Sequence, residues 1–214
     1  MSRRALAIGA GGAVLIVVVA AIALVALSGG GGKGLAPEAA TGQVRPVAPN
    51  VTLIAAGDRV ALPPLAGETL DGGHLDLASL RGHVLVLNFW ASWCGPCRSE
   101  QAGLQQAARD LAGEGVRFVG IDVKDQRAAA LAYAREFKTA YPSLYDPSTA
   151  LVAKLRGQGP AFPPATLVID QQGRIGARID GALSGGRASP DLQAGLLRDL
   201  VTRVRAGTAQ GVAG

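Results

Sequence analysis

Two cysteines and two histidines are all the thiol and imidazole metal ligands that the 214 residues hold, and aromatic residues make up only 4%. Two cysteines three positions apart close no disulfide framework, so the fold must rest on an ordinary packed core, for which this length suffices as one domain or two small ones. A structural zinc site wants four ligands, commonly a second CxxC or paired histidines. His74 and His83 stand at no useful spacing to supply them, so no metal site is expected. The net charge of +5 is spread along the chain rather than gathered into a basic stripe with interleaved aromatics, which excludes nucleic acid as a partner. There are no internal repeats, and the many alanines and glycines are compositional bias.

What the chain does have begins at its N-terminus. Residues 5–27 carry no charge and follow Arg3-Arg4. About 20 apolar residues span a bilayer as a helix, and arginines on the short N-terminal side hold that end in the cytoplasm. The expectation is a single-pass membrane anchor with the remainder outside the cell membrane. The alternative is a secreted protein released by cleavage near Ala26-Leu27-Ser28, and Ser2-Arg3-Arg4-Ala5-Leu6 resembles a twin-arginine export signal. The run is longer than a usual signal core, which favours the anchor. No cysteine follows it, so lipidation there is excluded. Residues 28–50 read as a linker, nearly all glycine from 28 to 34 and then broken by Pro37, Pro46 and Pro49. About 22 flexible residues reach roughly 25 Å.

The folded domain is expected over 51–206, with 207–214 a disordered tail. Leu62-Pro63-Pro64-Leu65 and Leu75-Asp76-Leu77 predict an N-terminal β-hairpin around Asp71-Gly72-Gly73. The apolar runs 83–89 and 116–123 predict buried strands. Helices are expected over 97–111, with Leu104, Ala108 and Leu111 inward; over 126–138, with Leu131, Ala134 and Phe137 inward; and, in short form, over 149–155. A hairpin joins 166–169 to 174–179, and a closing helix spans 191–204 with Leu192, Leu196, Leu200 and Val204 in register. Strands alternating with helices, then a hairpin and a helix, give an α/β fold with a mixed β-sheet flanked by helices.

The chemistry lies in Trp90-Ala91-Ser92-Trp93-Cys94-Gly95-Pro96-Cys97, at the junction of the first buried strand and a helix. A thiolate at a helix N-terminus faces unpaired N–H groups and the positive end of the dipole. Lowering its pKa from about 8.5 to about 7 raises the thiolate fraction at neutral pH from roughly 3% to roughly half. Pro96 suits a first turn because its missing N–H would have had no helical partner. Gly95 keeps the loop narrow so that a substrate backbone can approach. Cys97, one turn on, is placed to attack a mixed disulfide. Trp93 reads as a rim aromatic, Trp90 as core, and Phe162 as either groove or core. Glu100 reads either as a solvated helix carboxylate or as a buried acid that relays the Cys97 proton.

These residues resemble the thioredoxin superfamily. Trp93-Cys94-Gly95-Pro96-Cys97 matches its active-site loop. Asn88-Phe89-Trp90-Ala91, Arg98-Ser99-Glu100 and Phe162-Pro163-Pro164-Ala165-Thr166-Leu167-Val168-Ile169-Asp170 look like its membrane-tethered, exported TlpA/ResA-type thiol-disulfide oxidoreductases, many of which serve cytochrome c maturation. The likeness covers about 57–206 and implies a thioredoxin-like fold with the hairpin as an N-terminal extension. It implies Cys94 as exposed nucleophile, Cys97 as buried resolving thiol, Pro164 as the cis-proline facing them, and Glu100 as the branch's acidic residue. Asn88 stands where cytosolic thioredoxins keep a buried aspartate. Two positions depart from the pattern. Gln101-Ala102 replaces an apolar-proline pair, and Pro163 stands where relatives offer a free N–H. A substrate strand pairing there would lose a hydrogen bond worth about 0.5–1.5 kcal/mol.

The expected function is an anchored, extracytoplasmic thiol-disulfide oxidoreductase. Its catalytic residues are Cys94, Cys97 and Glu100, and Trp93, Gly95, Pro96, Pro163 and Pro164 form its substrate surface. It needs no cofactor. Its partners are protein thiols or disulfides, apocytochrome c among them, and a membrane thiol-disulfide electron donor or acceptor. The Gly-Pro dipeptide resembles that of thioredoxin, at about −270 mV, and points to a reductant. Other readings are an oxidant of secreted proteins and a Cu(I) carrier. Copper-delivery relatives use a wider cysteine spacing and a distal histidine, absent here. The proline-threonine-cysteine context of a peroxidase is also missing.

Overall fold

A computed structural model describes residues 45–48, 50–183 and 188–209. The expected anchor (1–27), most of the expected linker (28–50) and residues 210–214 of the expected tail lie outside the described residues. Among the described residues, no helix is long and apolar enough to cross a membrane.

The strands are β1 (Arg45–Ala48), β2 (Val51–Leu53), β3 (Ala66–Glu68), β4 (His74–Asp76), β5 (Val84–Trp90), β6 (Val116–Val123), β7 (Ser143–Asp146), β8 (Ala165–Ile169) and β9 (Ile175–Asp180). The helices are α1 (Gly95–Asp110), α2 (Arg127–Glu136), α3 (Ala150–Lys154) and α4 (Pro190–Ala209). A seven-stranded sheet runs in the order β1-β2-β9-β8-β5-β6-β7. β5, β6 and β7 are parallel, and β8, β9, β2 and β1 continue antiparallel. This is the thioredoxin-like α/β architecture.

Every residue of β5 is buried, because helices or loops cover both faces of the sheet's centre, and a strand covered on both sides reads as a continuous apolar run. Alternation sends Val84 and Val86 to one face, where they pack with Phe118, Leu104 of α1 and Leu200 of α4. Leu85, Leu87 and Phe89 go to the other, against Leu65 and against Leu151 of α3. A smaller cluster caps one end of the sheet: Trp90, Cys94 and Cys97 with Ala130 and Tyr133 of α2.

Several elements depart from the sequence expectation. The hairpin's first strand is β3 rather than 62–65, since Pro63 and Pro64 have no N–H to give a ladder. Its turn holds Gly72 at φ +88°, and Leu77 begins a 3-10 turn because the Asp76 carboxylate accepts from Ala78 N–H at 2.9 Å. β1 falls within the stretch read as linker and pairs with β2. In α2 the buried residues are Ala130 and Tyr133, while Leu131 and Phe137 are half-buried. The inward face of α4 is Ala194, Leu197, Leu200, Val201 and Val204, and Leu192, expected inward, is 66% exposed. Gln193 sets this rotation: it fills the space over Gly103 of α1, where an added Cβ would lie 2.4 Å from its own Cβ.

Candidate active site

Cys94 is the N-cap of α1, and Gly95 and Pro96 open the first turn. Cys94 and Cys97 are joined in a disulfide with Cα atoms 5.3 Å apart. The backbone N–H of Cys97 donates to Cys94 Sγ at 3.2 Å, so one of the helix's unpaired N–H groups is aimed at that sulfur. Both residues are buried, Cys94 at 3% exposure and Cys97 at 1%, so in the disulfide form the expected contrast between an exposed and a buried sulfur is small. Gly95 and Pro96 are exposed beside them, and space over Gly95 is open.

Glu100 follows Cys97 by one helical turn on the same side of α1. At 1% exposure it is not a solvated carboxylate. Oε1 accepts from Asn88 Nδ2 at 3.0 Å and Oε2 from Leu183 N–H at 2.9 Å. Burial pushes the carboxyl up to about 7, against these two hydrogen bonds, which favour the charged form. Asn88 Nδ2 also reaches Thr166 Oγ1 at 3.1 Å, while its Oδ1 faces no donor. Rotating that amide would present Oδ1 to a protonated Glu100 and to the Thr166 hydroxyl, so the pocket has a partner for either protonation state. Beneath, the Tyr133 hydroxyl donates to the Cys97 carbonyl at 3.1 Å, and its ring stacks on Trp90 with centroids 4.6 Å apart.

The Pro163–Pro164 peptide bond is cis. Phe89 of β5 pairs with Ala165 of β8, so the cis bond and the cysteine loop sit at the same end of adjacent strands. Pro164 is buried and its carbonyl accepts from Gly181 N–H at 3.0 Å, and Pro163 is half-buried. Trp93, 56% exposed, and Phe162, 76% exposed, flank a cavity of about 180 Å³ that Val123, Val152 and Pro163 also line. Phe162 is therefore a groove residue, and Trp90 is core. The Cys94 loop is fastened from the far side by residues the sequence did not single out. Trp93 Nε1 donates to the Lys124 carbonyl at 3.0 Å, Ser92 Oγ donates to Asp125 Oδ1 at 2.9 Å, and Ser92 N–H donates to Asp125 Oδ2. An aspartate after an apolar strand gave no signal in isolation, because its partner Ser92 is 33 residues away.

The AhpC/TSA family model matches residues 57–178. The chain belongs to the AhpC/TSA family. Within this thioredoxin-like family, its relatives are thiol-disulfide oxidoreductases of the DsbE and ResA kind. It is 39% identical over 105 residues to a thiol:disulfide interchange protein DsbE homolog of Paracoccus denitrificans, covering 47% of this chain and 52% of that one. It is 26% identical over 112 residues to the thiol-disulfide oxidoreductase ResA of Bacillus cereus, covering 52% of this chain and 63% of that one. The chain thus spans about half to two thirds of the length of these curated relatives. Among solved structures, a DsbF homologue from Corynebacterium diphtheriae superposes with a TM-score of 0.63 at 30% identity, covering 74% of this chain and 95% of that one. A secreted thiol-disulfide isomerase from Corynebacterium glutamicum does so with the same score and identity, covering 75% and 95%.

Proposed function

We propose that this protein is an extracytoplasmic thiol-disulfide oxidoreductase, tethered to the cell membrane by residues 5–27, that reduces protein disulfides through Cys94 and Cys97. The observation that carries this reading is the cysteine pair at the start of α1, with the Cys97 N–H donated to Cys94 Sγ at 3.2 Å. In the reduced protein that N–H and the helix dipole stabilise the Cys94 thiolate. The thiolate attacks one sulfur of a substrate disulfide, forming a mixed disulfide and expelling the other sulfur as a thiolate. Cys97 then gives its proton to Glu100, attacks Cys94 Sγ, and releases the second substrate thiolate. The two substrate sulfurs gain two electrons, and the Cys94–Cys97 disulfide is left for a membrane thiol donor to reduce. Burial holds the Glu100 carboxyl near 7, which supports its role as the acceptor in this proton step.

The groove between Trp93 and Phe162 is the docking surface for the substrate chain, with Gly95 and Pro96 leaving room for its backbone. Pro163 offers that chain a carbonyl but no N–H, so pairing beside Pro164 is one hydrogen bond poorer than it would be with any other residue there. The resemblance to TlpA/ResA-type proteins supports a place in cytochrome c maturation, with the disulfide formed by the haem-binding cysteines of apocytochrome c as substrate.

The test is the equilibrium reduction potential of the cysteine pair together with turnover in an insulin-reduction assay. A potential near that of thioredoxin, about −270 mV, is expected, with turnover falling to background in Cys94→Ser. A potential near −120 mV would make the protein an oxidant instead. Full turnover in the serine variant would overturn the reading.

A further inference from the structure

Asp122 is the one residue of β6 whose burial is chemically costly. It is fully buried, on the sheet face shared with Trp90, and neither carboxylate oxygen has a hydrogen-bond donor among the described residues. A buried carboxylate with no donor is strongly disfavoured, whereas a neutral carboxylic acid carries a proton it can give away. The acceptor within its reach is the carboxylate of Asp125, in the loop after β6. Asp125 is the residue that fastens the cysteine loop: its two oxygens take the Ser92 N–H, the Ser92 hydroxyl at 2.9 Å and its neighbour Gln126 N–H at 2.7 Å. Its carbonyl is held by the Tyr145 hydroxyl at 3.0 Å.

We propose that Asp122 is a positioning residue for disulfide exchange: as the neutral acid it donates its proton to Asp125, and that shared proton holds the Ser92–Cys94 loop in its reactive geometry. The proposal rests on the exchange reaction argued above and adds a pH limit to it. Burial, and after it the neighbouring Asp125 carboxyl, pushes Asp122 up to about 8, so the proton is kept at neutral pH and lost just above. The other charged groups facing the pair do not substitute for that proton. The Arg127 guanidinium of α2 lowers the pKa of Asp122 but is engaged by Glu68, at 2.8 Å, and by the carbonyls of Thr69 and Leu70. Asp146, at the end of β7, adds negative charge while its Oδ2 accepts from the Leu151 and Val152 N–H groups. Once Asp122 ionises, two carboxylates meet in a buried site, and the movable one is Asp125 on its loop. Its displacement releases Ser92 and, through it, Trp93 and Cys94.

Two measurements on the purified chain test this. In the oxidised protein, tryptophan fluorescence titrated from pH 6 to 10 should show a transition near pH 8 that disappears in Trp93→Phe. Asp122→Asn, which keeps a neutral N–H donor toward Asp125, should abolish the transition. In the reduced protein, alkylation of Cys94 at pH 7 should proceed at the wild-type rate in Asp122→Asn and roughly three- to tenfold more slowly in Asp122→Ala, the cost of one lost hydrogen bond at a loop anchor. Thermal melts of both variants separate this from misfolding. An Asp122→Asn protein that retains the wild-type transition, or an Asp122→Ala protein that is folded and alkylated at the wild-type rate, overturns the proposal. Neither readout requires a protein substrate, so a failure of insulin reduction would count against the exchange function and not against this relay.

Discussion

The two ends of the central sheet bury carboxylates on opposite terms. At the far end Asp170, just past β8, is wholly buried and meets the Arg59 guanidinium at 3.1 Å and Arg174 Nε at 3.1 Å. Arg59 also donates to the Ile54 and Val204 carbonyls, at 3.2 and 3.0 Å, and so ties the entry of the domain to α4. At the cysteine end Glu100 is as deeply buried, yet its hydrogen-bond donors are neutral, an Asn88 amide and the Leu183 N–H. Asp170 is met by two arginines and holds elements together, whereas Glu100, desolvated and met by neutral donors alone, is pushed toward its protonated form. The same residue class is thus clamped by cations at one end and left open to protonation at the other.

The largest expected effect breaks the clamp. Arg59→Ala leaves Asp170 without its fully buried partner, and removing one member of a buried pair costs about 3–5 kcal/mol. Urea unfolding should show that loss as a lower midpoint. The reduction potential of the cysteine pair should stay at the wild-type value under folding conditions. A shifted potential would mean that the two ends are coupled and the comparison is false.

Glu100→Gln gives the next effect, with the opposite signature. The folded carboxyl titrates near 7 and the unfolded one near 4.5, so between these values the native state holds a proton the unfolded state has lost. Stability therefore falls as pH rises through that window, by at most about 3 kcal/mol, and is fully present below it. Glutamine presents an N–H to Asn88 Oδ1 after the amide turns and keeps an oxygen for Leu183 N–H, so it mimics the protonated acid. Chemical unfolding at pH 5 and pH 8 should show a smaller loss of stability in the variant than in the wild type, what remains coming from Asp122, whose raised pKa acts in the same direction. On the proposed mechanism, release of the mixed disulfide should slow in the same variant, because a glutamine cannot accept the Cys97 proton.

Much of this contrast was legible in the chain, unevenly. The cysteine loop, β5, β6 and the β8–β9 hairpin declared themselves through local signals: a pentad, two apolar runs and a turn at Gly173 (φ +79°). Glu100 and Pro164 were singled out through resemblance, since spacing alone leaves Glu100 open between a solvated and a buried carboxylate. β7 was missed because its four residues, Ser-Leu-Tyr-Asp, gain burial from β6 and carry no pattern of their own. Asp122 was missed because its meaning depends on Asp125, whose meaning depends on Ser92. The Arg59–Asp170 clamp spans 111 residues, a separation across which charge pairing cannot be read from one sequence.

Leu192 shows how a periodic signal misleads, and it gives the smallest expected effect. The spacing 192, 196, 200, 204 is regular, yet the register that packs starts at Ala194, because Gln193 has to enter the gap over Gly103. With Gln193 fully buried, Leu192 is turned away from α1. Leu192→Ser should therefore change stability by less than about 0.5 kcal/mol, as surface substitutions do. Leu200→Ala, two steps along the same apparent stripe but fully buried, should cost about 2–5 kcal/mol. Equal losses from the two substitutions, measured by urea unfolding, would place Leu192 in the core and would require α4 to be rotated about its axis, withdrawing Gln193 from Gly103.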